Sequence, residues 1–305
     1  MIFSQITPSD SPRLKRFFKH QQYRICEYSL SSIAVWSNSE YQLLGATRDE
    51  TLIVSAEFKT RYQDRHLMLP ISPVRRFSPE DLRELATDLQ FDHFWFVPED
   101  YIHQYGKERV NSYFSVTEQD KYRDYIYRTD DLAGLKGNKY SKKRNLIKQF
   151  KKRYLDKDRV KVEPIRSAAA SECIEFLEKW CEERGCGLDK EMEWDLSCEK
   201  EAAANALENI EILEANGILL RLDGEVSAFG IASHLTESIG ALHFEKAFAR
   251  VKGLYQYFDK ICAQTLFHGY RYVNKESDMG IPGIAKAKRS YHPVEMVRSY
   301  KLTVH

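Results

Sequence analysis

Residues 136–161 carry twelve Lys or Arg against two Asp, a local balance of +10 in a protein whose net charge is +1. Lys139, Tyr140, Lys143, Arg144 and Asn145 form the densest binding cluster of this run. Cations there can contact phosphates while the Tyr140 ring stacks on a base. A solvated helix neutralised by acidic neighbours explains the same charge. A second grouping is the loop DMGIPG at 278–283, where Gly280 and Gly283 free the backbone to approach a ligand and Asp278 can orient an amino group. A tight turn leading into a helix reads the same way. Lys286, Lys288 and Arg289 follow. There a cation can face a carbonyl oxygen, a carboxylate or a phosphate, or simply cover the surface. His243, Glu245 and Lys246 close an apolar strand, with Glu245 either a general base or an exposed strand-end carboxylate.

These residues need elements to hold them. Leu146, Ile147, Phe150 and Tyr154 recur at three- and four-residue spacing, which predicts a helix with one apolar stripe and basic outer faces. Ahead of it the pattern predicts a helix at 12–20 and strands near 33–36, 41–47, 51–59 and 66–70. Ser78 then caps a helix that has Pro79 in its first turn. Strands follow near 92–97, 112–116 and 124–128. After a strand at 160–164 come acidic helices at 168–184 and 200–215, in a segment (172–214) with fourteen acidic and four basic residues. Asp223-Gly224 joins strands 218–222 and 226–233 as a hairpin. A strand at 238–244, a helix at 254–268, a strand at 270–274, a helix at 284–291 and a last strand at 294–302 complete the chain. Both halves share one order, and a length of 305 residues suggests two units, 1–155 and 156–305, of α+β class.

Composition excludes several classes. No apolar run approaches the ~18 residues of a membrane span, and the N-terminus has no export signature, so a cytoplasmic location is expected. Six Cys (26, 173, 181, 186, 198 and 262) include no C-x-x-C pair, which suggests reduced thiols. Nor do the nine His show metal-ligand spacing, and no metal site is expected. Trp180 and Trp194 are expected in the core or in a pocket wall.

The order of the second half resembles the GNAT acyltransferase fold. Residues 218–233 look like its central hairpin, and RVKGLY (250–255) stands where that fold places a glycine turn for a pyrophosphate. Asn274, Ala287 and Tyr291 are similar to its later strand and Tyr-bearing helix. The segments DYIYRTDDLAGLKGNKYSKKRNLIKQF (124–150) and VNKESDMGIPGIAKAKRSYHP (273–293) resemble the signature blocks of the DUF2156 group. That group is similar to the C-terminal catalytic domain of phosphatidylglycerol lysyltransferase and is built as tandem GNAT-like domains. The resemblance covers essentially the whole chain.

The resemblance implies acyl transfer, with Glu245, Asp278, Lys288 and Tyr291 as catalytic candidates. His243, Lys246, Gly253, Tyr255, Asn274, Gly280 and Lys286 join the basic cluster as candidates for holding donor or substrate. Tyr255 stands where acetyl-CoA enzymes carry a small residue, which turns the expectation toward aminoacyl-tRNA as donor. An amine or hydroxyl of a lipid headgroup, peptide or small molecule is then the acceptor, with no tightly bound cofactor. An acyl-CoA-dependent N-acyltransferase and a non-catalytic ligand-binding module are the alternatives.

Overall fold

The computed structural model describes residues 1–38, 40–184 and 190–305. The Trp194, Cys186 and Cys198 side chains fall outside the described part. In chain order the strands are β1 Ser4–Gln5, β2 Tyr41–Arg48, β3 Thr51–Phe58, β4 His66–Leu67, β5 His93–Pro98, β6 Phe114–Glu118 and β7 Asp124–Arg128. They continue as β8 Val160–Pro164, β9 Asn216–Leu222, β10 Glu225–Thr236, β11 Ile239–Ala247, β12 Tyr272–Asn274, β13 Glu295–Val297 and β14 Ser299–Val304.

They form two seven-stranded mixed sheets flanked by helices. From one edge, the first runs β1-β2-β3-β4-β5-β14-β6 and the second β8-β9-β10-β11-β12-β7-β13. In each, the fourth and fifth strands are parallel (β4 with β5, β11 with β12). The sixth strand of each is lent by a distant part of the chain. β7 leaves the first half to lie between β12 and β13, and β14 returns to lie between β5 and β6.

Two expectations are corrected here. The last strand is not continuous: it breaks at Arg298, with β13 on β7 in one sheet and β14 on β5 in the other. The segment 33–36 is not a strand. Ser29 caps a helix, Leu30–Val35, its hydroxyl accepting from the Ser32 amide at 3.0 Å, and this local bond outweighs the β preference of Ile33 and Val35.

The basic helix forms as expected, over Ser141–Arg153. Ile147 and Phe150 are buried, and Phe150 stacks on Tyr257 of the helix Leu254–Thr265 at 5.0 Å between ring centres. Gly253, which opens that second helix, has φ +85°, and a Cβ there would overlap the Leu146 carbonyl oxygen. Backbone packing therefore requires this glycine. Gly253→Ala should cost about 2–3 kcal/mol in denaturant unfolding, from left-handed strain plus overpacking. Among the described residues, no helix is long and apolar enough to cross a membrane.

Candidate active site

The parallel strands β11 and β12 pair over only three residues, Ile239–Ala241 against Tyr272–Asn274. Beyond them β11 runs on to Ala247 while the chain leaves β12 in the loop 275–281, so the sheet opens into a wedge. A bulge at His243 lies beside it, because Ala232 pairs with Leu242 and Ile231 with Phe244. Glu245 consequently faces the helix Leu254–Thr265, while His243 faces the helix Leu30–Val35.

On the Glu245 face, the Lys275 ammonium lies 2.7 Å from Glu245 Oε2 and 2.7 Å from Asp259 Oδ1. The three side chains are only 12%, 12% and 4% exposed. Burial and the neighbouring Asp259 carboxylate push Glu245 up to about 7, against the pull of Lys275. The two carboxylates hold the Lys275 ammonium above the ordinary lysine range despite its burial. Asp259 Oδ2 is buried and lacks a well-formed hydrogen bond. The Tyr291 phenol faces this carboxylate without satisfying that oxygen, and burial raises its pKa well above the usual tyrosine value. Lys143 reaches in from the basic helix, 3.6 Å from the centre of the Tyr291 ring, and donates to Ser290 Oγ at 2.6 Å. Burial pulls its ammonium below the ordinary lysine range.

Chemically, this is a carboxylate poised to take a proton near neutrality, a phenol that is protonated at rest, and cations close enough to meet negative charge. Beyond it, Arg144, Lys148, Lys151 and Lys152 share one exposed face of the basic helix. Among the described residues none of these four has an acidic partner within 4.0 Å. Among the described residues, then, neutralisation by acidic neighbours does not account for this face.

The other expected residues have different positions. Lys288 is turned into the loop: its buried ammonium donates to the Lys275, Glu276 and Ser277 carbonyls and so shapes it. Asp278 accepts from the Tyr125 hydroxyl at 2.6 Å and from the Gly280 amide at 2.8 Å, which builds the turn where Gly280 has φ +75°. Asn274 is fully buried, donating to Arg24 O and Asp124 Oδ2 and accepting from the Glu276 amide. Tyr140 is fully buried and donates to Tyr291 O at 2.9 Å, so it has no face for a base. Lys246 points away from Glu245, pairing with Glu199 at 2.6 Å over the Trp180 ring. Tyr255 receives the Trp180 indole N–H at 3.3 Å. Lys139 pairs with Asp131 at 3.4 Å, Arg144 also donates to the Leu135 and Gly137 carbonyls, and Asn145 and Lys286 are exposed. His243 bonds Glu276 at 2.9 Å and Ser233 at 2.7 Å.

Two residues central to the cluster escaped the sequence reading. Asp259 is an acid on the apolar stripe Tyr255, Phe258, Cys262, which is a legible anomaly. Lys275 sits directly after the short strand Tyr272–Asn274, in a segment already singled out for its resemblance.

The match to the family described as Phosphatidylglycerol lysyltransferase, C-terminal, spans residues 18–303. The chain belongs to that family. A conserved protein of unknown function from Bacteroides thetaiotaomicron is similar at 28% identity over 100% of both chains, with a TM-score of 0.86. The DUF2156 C-terminal domain of a putative lysylphosphatidylglycerol synthetase from Agrobacterium fabrum shares the fold, with 12% identity, a TM-score of 0.55, and coverage of 98% of this chain and 87% of that one. No curated protein matches.

Proposed function

We propose that this family member is an acyltransferase that moves an aminoacyl group from aminoacyl-tRNA to an amine or hydroxyl acceptor, at a site centred on Glu245. The supporting observation is Lys143, which joins the exposed cationic face to the buried Glu245–Lys275–Asp259 cluster. The family description and the Agrobacterium relative's name favour a lipid headgroup as acceptor. The two sheets are read as tandem GNAT-like units, each with the same strand order and one parallel pair.

In the proposed reaction Glu245 takes the acceptor proton as the acceptor oxygen or nitrogen bonds the ester carbonyl carbon. Lys143 faces the oxyanion that develops. The bond from that carbon to the ribose oxygen then breaks as the Tyr291 phenol gives its proton to that oxygen, and the proton held by Glu245 passes on to restore the phenol. The acyl-CoA reading loses its main support, because packing explains Gly253 and Tyr255 turns to Trp180.

Lys148→Glu combined with Lys151→Glu should weaken tRNA binding about tenfold or more at moderate salt. Each lost phosphate contact should flatten the salt dependence by about one unit of slope. Filter binding across a salt series measures both. Unchanged affinity and slope would remove tRNA from the proposal.

A further inference from the structure

On the other face of the wedge, two consecutive residues of the first half meet the first residue of β7. We propose that Cys26, Glu27 and Asp124 bind one divalent transition-metal ion, zinc being the best fit to a thiolate and two carboxylates.

The ligand atoms of all three residues lie within 4.8 Å of one another. Asp124 is held in a ligand's orientation. Its Oδ2 accepts from the Cys26 amide and from Asn274 Nδ2, both at 2.7 Å, and its Oδ1 accepts from the Cys26 thiol, 3.7 Å from Sγ. Sulfur and oxygen ligands of a tetrahedral zinc stand ~3.5 Å apart, given bond lengths of about 2.3 and 2.0 Å. Independently, Glu27 Oε2 is buried with no hydrogen-bond partner, a state that costs free energy unless a cation or proton meets it. Water or the second Glu27 oxygen would complete the coordination.

The surrounding charges leave the cluster electronegative. Glu276 is the third carboxylate nearby and bonds His243. Lys288 lies close but gives its protons to three carbonyls. Arg24 is taken by Asp100 and Glu295, and the Tyr41 phenol lies near enough to feel the Glu27 charge. Binding releases the thiol proton and any proton the carboxylates share to solvent. The bound ion would tie residues 26–27 to β7, beside the candidate active site. Ligand spacing in the sequence could not show this, since Cys26 and Asp124 stand 98 residues apart.

The test is a Co²⁺ titration of the chelator-treated full-length chain, followed by near-ultraviolet absorption, with Zn²⁺ as competitor and thermal unfolding alongside. The expected result is a thiolate-to-cobalt band that saturates at one equivalent and is displaced by Zn²⁺, with Zn²⁺ raising the unfolding temperature. Cys26→Ser should abolish the band, and Glu27→Gln, which keeps the thiol, should weaken Co²⁺ binding about 10- to 100-fold. No band in the native chain, a band surviving Cys26→Ser, or full Co²⁺ affinity in Glu27→Gln would each overturn the site.

Discussion

Glu245→Gln is expected to lower the acyl-transfer rate by about 10²- to 10⁴-fold with tRNA affinity unchanged, the usual cost of removing a positioned base. Glutamine keeps the volume and can still accept from Lys275, so the packing of the wedge survives. The native enzyme should gain rate as pH rises through about 7, where the Glu245 carboxyl loses its proton. That limb should vanish from the variant's residual activity. Stability carries the opposite sign. A carboxyl whose folded pKa exceeds its ordinary value of 4.5 favours the native state when protonated, so its contribution is present at low pH and lost as pH climbs from about 4.5 to about 7. Glu245→Gln should therefore flatten the pH dependence of unfolding in that window. A variant with native turnover would show that Glu245 is structural and that the base lies elsewhere.

The second large effect is on folding. Lys275→Met should destabilise the protein by about 3–5 kcal/mol, because it leaves Glu245 and Asp259 buried together without their shared cation. One of the pair must then hold a proton in the native state. Its raised pKa makes stability fall more steeply as pH rises above 4.5 than in the native chain. Urea titrations at several pH values measure both quantities. A loss under about 1 kcal/mol at neutral pH would mean that the carboxylates find other partners or water. Adding Asp259→Leu to Lys275→Met should recover part of the loss by removing one of the stranded charges.

Much of this molecule was legible locally. The strands β7 and β8, the Asp223-Gly224 hairpin and the basic helix all follow from short-range pattern, because side-chain period, turn residues and amphipathic spacing act within a few residues. Glu245 and Tyr291 were also visible as a polar strand end and a ring in a recurring block. The fate of each charge was not visible, since it depends on partners far away in sequence. Lys288 and Lys143 are both cations near apolar residues. One is consumed by three loop carbonyls, and the other reaches the Tyr291 ring.

By itself, then, the sequence determined the α+β elements, the family resemblance and the concentration of positive charge on one helix. Tertiary structure decided the exchange of β7 and β14 between sheets, the opening between β11 and β12, and the meeting of Glu245, Lys275 and Asp259. The reason is physical. Element formation is governed by neighbours along the chain, whereas the pairing and proton affinity of a buried charge are governed by whatever the fold places within a few ångströms of it.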